Sequence, residues 1–275
     1  MGRKLFCEIN SFTYGISVRK KRFVRSLSDA FSNKVYAKMK EDKLQNLVYE
    51  HSSLIRRKLG NVDMHLQENK AVNLSLAAPK INGIIVKPKE TFSFWRLVGE
   101  CTAKAGYKEG LIIFSDKPSK GIGGGLCQFT NLIHWLILHS PLDIDEHHHH
   151  DGIDLFPDFG RQVPFGCGTS IVYNYLDYQF TNNTDCTFQL IVYVTDTHLC
   201  GELRVSKVLQ ESYHIKEEDA YFIKKYDEYY RRNKIIRQVV DKRTGNELRR
   251  EVIKESNARV MYEEEFIDKS LLRIE

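Results

Sequence analysis

The chain has 275 residues and a mass of 32.1 kDa, enough for one large core or for one core with appended segments. Hydrophobic residues make up 42% and charged residues 28%, as in ordinary soluble globular proteins. The 41 Lys and Arg residues are interspersed with 36 Asp and Glu residues and leave a net charge of +5, which argues against nucleic acid as a partner. The one concentrated basic stretch, residues 19–25, is interpreted as a solvated helix face.

The amino terminus lacks the apolar run of a secretory signal. Glu8, Asn10 and Ser11 interrupt it before ~7 apolar residues accumulate. No later segment approaches the ~20 apolar residues of a membrane-spanning helix, so we expect a cytoplasmic protein. No CxxC pair occurs, and we expect reduced thiols at the six cysteines, which are Cys7, Cys101, Cys127, Cys167, Cys186 and Cys200.

Apolar residues at helix-like intervals dominate the first part of the chain. This spacing predicts helices over residues 20–39 and 45–59, the second ended by Gly60-Asn61. A further short helix is predicted over residues 71–78, ended by Pro79 and the turn Asn82-Gly83. The first 70 residues are therefore predicted to form a helical N-terminal segment.

The pattern changes to short apolar runs separated by turn residues, which are typical of strands. A buried helix is nevertheless predicted over residues 132–138. A hairpin is predicted near the end of the chain, with strands at 235–241 and 247–252 joined by residues 242–246. The other predicted strands are 84–86, 91–94, 111–114, 171–173, 178–180 and 188–195.

These elements predict an α+β fold. N-terminal helices precede a mixed, mainly antiparallel β-sheet domain with a C-terminal β-hairpin. The predicted parts are 1–70, 71–200 and a charged extension, 201–275, which contains the hairpin.

Three consecutive glycines precede Cys127, in the run Gly123-Gly124-Gly125-Leu126-Cys127-Gln128. Glycines let the main chain adopt positive φ and approach a ligand closely. A cysteine where such a bend enters a helix can be stabilised as a thiolate by unpaired amides, and the same amides can bind an oxyanion. A phosphate loop is excluded because neither GK[ST] nor GxGxxG is present. A packing turn with a buried cysteine remains an alternative.

Four consecutive histidines, residues 147–150, follow about 20 positions later. If the segment is extended, His148 and His150 share a side, and either could serve as general base to Cys127. These two histidines with Cys127 or Cys167 could instead bind zinc, and a solvated loop is a third interpretation. His134 and His139, on the apolar helix, are interpreted as core or helix-end residues.

An ordered set of motifs resembles the VanW-like family, which is named for an accessory protein of vancomycin-resistance clusters. The resemblance runs from Ile81-Asn82-Gly83, through the run ending in Cys127-Gln128 and the His-x-His element, to Asn182-Asn183-Thr184. The motifs that carry it are ING at 81–83, PKETFSF at 88–94, LVG at 97–99, GYKE at 106–109, GIGGGLCQ at 121–128 and LDYQFTNNT at 176–184.

Some members of the family are taken to be L,D-transpeptidases, in which a cysteine attacks the stem peptide of a cell-wall precursor. The resemblance then implies that Cys127 is the nucleophile and that His148 or His150 is its base. It implies an oxyanion site at the amides of Gly124, Gly125 and Cys127, with Gln128 as a supporting or substrate hydrogen-bonder. The family commonly has an Arg-Asp pair where this chain has Cys167-Gly168, and the segment from 151 to 164 is longer than usual.

Three functional hypotheses follow. The first is a cysteine-dependent acyltransferase that acts on a peptidoglycan precursor or stem peptide within glycopeptide resistance, with no cofactor and no bound metal. The second is a protein that binds a precursor ending in D-Ala or D-lactate without catalysis. The third is a zinc protein.

Overall fold

The computed structural model describes residues 6, 10–57, 63–114, 117–149 and 152–273. The α-helices in these ranges are α1 (Ser11–Ala30), α2 (His65–Ile81), α3 (Phe94–Val98) and α4 (Cys127–Leu138). The strands in the same ranges are β1 (Val35–Tyr36), β2 (Asn46–Leu54), β3 (Ile84–Val86), β4 (Glu90–Ser93), β5 (Glu109–Phe114), β6 (Lys117–Ile122), β7 (Asp143–Glu146), β8 (Ile153–Asp154), β9 (Gln179–Thr181), β10 (Phe188–Val194), β11 (His198–Val205), β12 (Glu211–Lys225), β13 (Glu228–Asp241), β14 (Glu247–Val260) and β15 (Leu272–Arg273). The fold is α+β, as predicted.

The central sheet is antiparallel and has the strand order β2-β11-β10-β3. Helix α2 packs on β10, and α4 packs on β2 and β11. Gly201 in β11 makes this packing possible, since a Cβ there would lie 2.9 Å from a methyl carbon of Leu132 and 3.0 Å from one of Leu136. The main chain of the sheet therefore touches α4 directly.

From Phe129 to Leu138 every residue of α4 except Asn131 is buried, so most of the helix is enclosed by the rest of the fold. One face of α4 packs on the central sheet, and another face packs Trp135 and Leu138 in a cluster with Ile235 of β13. The predicted buried helix is confirmed, and it begins at Cys127. His134 is buried within the helix and His139 is buried at its C-terminal end, as predicted for core or helix-end residues.

The C-terminal sheet has the strand order β15-β12-β13-β14-β8. The predicted hairpin forms between β13 and β14, with Gly245 in its turn at φ +75°. Its strands are longer than the predicted ones, and β12 adds a further antiparallel strand beside β13.

The C-terminal sheet also holds the segment that follows the histidine run. Arg231 donates two hydrogen bonds of 2.8 Å to the carboxylate of Asp158. Asn233 Nδ2 donates to the main-chain oxygen of Phe165 at 2.7 Å. A Cβ on Gly166 would lie 2.8 Å from Ser256 Oγ. Residues 158–166 are thus fixed from the sheet side.

The prediction of a helical N-terminal segment is wrong in part. The helix predicted over 45–59 is strand β2, which pairs along β11. The helix predicted over 20–39 lies at 11–30, where the side chain of Asn10 caps its first turn, and β1 follows. Helix α2 is longer than predicted at both ends and contains Pro79 in its last turn. The strand predicted at 171–173 is a turn closed by a bridge between Val172 and Leu176.

Within the described ranges, every helix is too short or too polar to span a bilayer. The described cysteines are free thiols. Cys7 lies outside the described residues.

Candidate functional site

The glycine bend is held from α2 by one buried side chain. Asn73 Nδ2 donates to the main-chain oxygens of Gly124 at 2.9 Å and Lys108 at 3.0 Å. Its Oδ1 accepts the Lys108 amide at 2.7 Å. Because both ends of the amide are used, Asn73 fixes where strand β5 starts and where the bend turns into α4.

The bend is packed so closely that side chains larger than hydrogen do not fit. A Cβ on Gly124 would lie 2.3 Å from the main chain of Gly110 in β5. A Cβ on Gly125, which has φ +89°, would lie 2.4 Å from Cγ of Lys70. The glycines predicted to allow close approach are therefore used first for packing against β5 and α2.

Cys127 is the first residue of α4 and is partly exposed. Burial raises the pKa of its thiol, while hydrogen bonds from the main-chain amides of Ile171 and of Cys127 itself act to lower it. The net direction is upward. The thiol is thus favoured over the thiolate, opposite to the expectation from the amides alone, because loss of solvent around sulfur outweighs them.

The amides predicted to form the oxyanion site are not equivalent. The N–H of Gly124 donates to Gly121 O at 3.0 Å and is therefore unavailable to a ligand. The N–H of Gly125 has no main-chain partner among the described residues. An oxyanion site here would thus be built on Gly125 and Cys127.

Gln128 ties α4 to the central sheet. Its Nε2 donates to Ser53 Oγ at 2.9 Å and to Leu54 O at 3.0 Å. Its Oε1 is buried and has no hydrogen-bond partner in the described ranges. The amide therefore supports the helix start and leaves one buried acceptor unpaired within the described residues.

The histidine run alternates between two sides. His148 Nε2 is bonded to Glu146 Oε1 at 2.9 Å, and Arg25 of α1 forms an ion pair of 2.8 Å with the same carboxylate. His147 faces the other way: its Nε2 contacts Gly168 O at 2.8 Å, and its ring stacks on the buried His134 with centroids 4.2 Å apart. His150 lies outside the described residues.

A short segment connects the histidine run with the cysteine. The Ser170 amide donates to His148 O at 2.7 Å, and the next amide, that of Ile171, donates to the Cys127 sulfur. Thr169 is held on α4, since its amide donates to Asn131 Oδ1 at 2.7 Å. The hydrogen bonds to the sulfur come from main-chain amides, and no described imidazole is among its partners.

No three His, Cys, Asp or Glu side chains of the described residues converge closely enough to hold a metal ion. Cys167, one of the ligands in the zinc alternative, is buried, and burial raises its pKa to about 12. His150, which every version of the zinc alternative requires, lies outside the described residues, so that alternative stays a prediction.

Comparison with known proteins decides the family. A family model described as "VanW like protein" matches residues 69–204. The vancomycin B-type resistance protein VanW of Enterococcus faecalis is 35% identical over 205 residues, which cover 74% of this chain and 74% of that protein. The chain belongs to the VanW-like family. The resemblance predicted from the motifs is confirmed.

A second relative of this VanW-like chain is matched over a shorter range. The uncharacterized protein YoaR of Bacillus subtilis is 31% identical over 118 residues, or 42% of this chain and 36% of YoaR. No solved structure gives a match.

Gly168, where the resemblance implies an aspartate, lies against the histidine run. A Cβ on this residue would lie 3.3 Å from His149 Nε2. The main-chain oxygen of the same residue contacts His147. A carboxylate at position 168 would therefore stand next to imidazoles.

Sequence reasoning missed two residues of the site, Asn73 and Lys70. Both lie on the inner face of α2, one turn apart, and reach the glycine bend. A single asparagine or lysine on a helix carries no signal that distinguishes it from an ordinary surface residue, so only the packing reveals them.

Proposed function

We propose that this VanW-like chain contributes to glycopeptide resistance by acting on stem peptides of peptidoglycan precursors, with Cys127 as the acyl-accepting nucleophile. The resistance role is inferred from the name of the Enterococcus relative, to which most of this chain aligns. The observation that carries the chemistry is the position of Cys127: the first residue of α4, partly exposed, directly after a bend that Asn73 and Gly110 hold rigid.

In the proposed reaction, a base takes the Cys127 proton and the thiolate attacks a peptide carbonyl carbon. The oxygen becomes an oxyanion next to the amides of Gly125 and Cys127. The C–N bond then breaks, the leaving amine takes up the proton, and a thioester remains. An acceptor amine attacks the thioester, which forms a new amide and returns the thiol.

His148 is our choice of base within the described histidines. Glu146 fixes its ring, as an orienting carboxylate does in catalytic triads, and its main chain is joined to the segment that contacts the sulfur. A base is required because burial raises the pKa of the Cys127 thiol.

A muropeptide assay tests the proposal. Purified chain is incubated with a stem peptide and an acceptor amine, and the products are identified by mass spectrometry. We expect new amide product from the parent chain and a loss of at least ~100-fold in Cys127→Ala, because the acyl acceptor is gone. Cys200→Ala, which changes a partly exposed cysteine in β11, serves as the matched control and retains turnover. Equal product from Cys127→Ala and the parent chain rules out the nucleophile.

The non-catalytic binding hypothesis stays as the second candidate because one observation favours it. Burial raises the pKa of the Cys127 thiol, which suits a packed cysteine as well as a protected nucleophile. It predicts that the parent chain and Cys127→Ala bind the stem peptide equally and that neither forms product.

Gly168→Asp gives an independent test of the histidine assignment. The new carboxylate would accept a hydrogen bond from His149, order the run and increase turnover by roughly tenfold. Gly168→Asn has the same size without the charge and serves as control. Equal rates for the two variants would show that a carboxylate beside His149 does not affect the reaction.

A further inference from the structure

Lys70 lies in the middle of α2 with only 7% of its surface exposed. Its aliphatic stem runs over Gly125, whose missing side chain leaves the space that the stem fills. In the described part of the chain, its amine has no hydrogen bond and no ion pair. A lysine in such a place is unusual because an ammonium that is largely buried loses most of its hydration without a partner to replace it.

The surroundings of the amine are positively charged. Arg56 lies nearby but is neutralised by Glu68, with bonds of 2.6 and 2.8 Å. Arg57 donates to the main-chain oxygen of Asp158 at 2.9 Å. Burial and then the charges of Arg57 and Arg56 lower the pKa of Lys70 to about 7. The fold concentrates cations here and places no carboxylate on the Lys70 amine within the described residues.

A purely structural explanation is that the Lys70 stem covers the glycine bend. Methionine would supply the same stem without a buried amine, and it would not oppose the charges of the arginines. The stem therefore explains a long side chain at this position but leaves the ammonium group unexplained. An anion supplied from outside the chain explains the ammonium group.

We propose that Lys70 binds a carboxylate of the substrate peptide beside the Gly125 turn. Gly125 is two residues before Cys127, so a carboxylate held there positions a neighbouring peptide carbonyl near the sulfur. Arg57 adds long-range attraction for the same charge. This inference rests on the proposed function and names the group by which the stem peptide is held.

The binding test uses Cys127→Ala, in which turnover is blocked, and a stem pentapeptide ending in D-Ala-D-Ala. Affinity is measured for the free acid, for the peptide amidated at its C-terminus and for the peptide amidated at its side-chain carboxylate. We expect one of the two amidations to weaken binding at least tenfold, which identifies the carboxylate. In Cys127→Ala with Lys70→Met, all three peptides bind equally.

The pH dependence of peptide affinity shows whether the charge of Lys70 itself holds the carboxylate. Lys70 is protonated below about pH 7, so affinity for the acid should fall as pH rises from 6 to 9, while affinity for the sensitive amide stays constant. Lys70→Arg keeps its charge throughout this range, and its preference for the acid should not depend on pH.

The stability of Lys70→Met distinguishes substrate binding from a purely structural role, because a lysine that stabilises the fold would lower the denaturation midpoint when it is replaced. Lys70→Met removes an amine that is largely buried and has no partner among the described residues, and is expected to raise the denaturation midpoint. The inference is overturned if Lys70→Met lowers the denaturation midpoint and the protein that retains Lys70 binds the acid and both amides with equal affinity. Turnover that depends on Cys127 would still leave the proposed function standing. If none of the peptides binds and no product forms, both fail.

Discussion

Gly124→Ala is expected to lower the free energy of unfolding by about 3 kcal/mol, because the added methyl group has nowhere to go. Its Cβ would lie 2.3 Å from both the carbonyl carbon and oxygen of Gly110. These are main-chain atoms of a paired strand, so no rotamer change relieves the contact. The bend would have to move away from β5, and Cys127 with it. Urea denaturation at constant m-value measures the loss.

Alanine substitutions at two other glycines serve as controls, because there a new Cβ meets no neighbouring atom. Gly245, in the β13–β14 turn, has φ +75° and no neighbour within 4 Å of a Cβ, so Gly245→Ala should lower stability by about 1 kcal/mol through backbone strain alone. Gly15, inside α1, also has free space, and Gly15→Ala should raise stability by up to about 1 kcal/mol. A Gly124→Ala protein as stable as Gly245→Ala would show that β5 and the bend are not packed as described.

Asp177→Ala is expected to lower the free energy of unfolding by about 3 kcal/mol or more, because several buried donors lose one acceptor at once. Asp177 Oδ1 accepts the amides of Trp95 at 3.0 Å and Tyr178 at 2.8 Å. Its Oδ2 accepts from Ser93 Oγ at 2.5 Å and Gln179 Nε2 at 3.1 Å. The carboxylate therefore joins α3, β4 and β9, and denaturant titration of the variant measures the loss.

Asp177→Asn provides the graded comparison. Its oxygen can still accept both amides, while the hydroxyl and the glutamine side chain can rotate, so we expect a smaller loss than with alanine. The exposed Asp185, 83% accessible and 3.3 Å from Lys207, serves as the surface control, for which alanine should change stability by less than about 0.5 kcal/mol. A loss for Asp177→Ala as small as that for Asp185→Ala would contradict the network.

The predictable parts of the fold are those in which local pattern and tertiary environment agree. The C-terminal part of helix α4 is strongly apolar and the helix begins after a glycine bend, and its chain position follows from these two features. The β13–β14 hairpin likewise has turn residues between two apolar runs. Strand β2 shows the opposite case. Leu47, Val48 and Tyr49 are consecutive and then give way to polar residues, a pattern that fits a short helix as well as a strand. Pairing along β11 decides between them, and nothing within the segment reports that pairing.

The site shows a similar division. The cysteine and the glycine bend could be identified from sequence because their residue types are unusual together. The side of each histidine could not be assigned, because alternation is fixed by the contacts of His147 with Gly168 and of His148 with Glu146. Lys70 and Asn73 could not be assigned to the site from sequence because they lie in a helix more than 50 residues before Cys127. Their role arises only where α2 crosses the bend.

The family match ends at residue 204, yet the wall next to the histidine run is anchored beyond that point. Arg231 of β13 donates hydrogen bonds to the carboxylate of Asp158, and Asn233 of the same strand donates to the main-chain oxygen of Phe165. A recombinant fragment cut to the matched boundaries would leave that wall unsupported and uncover the apolar flank of α4 that meets Ile235. The range matched by the family model is therefore shorter than the part of the chain that holds the site together, and a fragment cut to that range would contain the cysteine without the wall beside it.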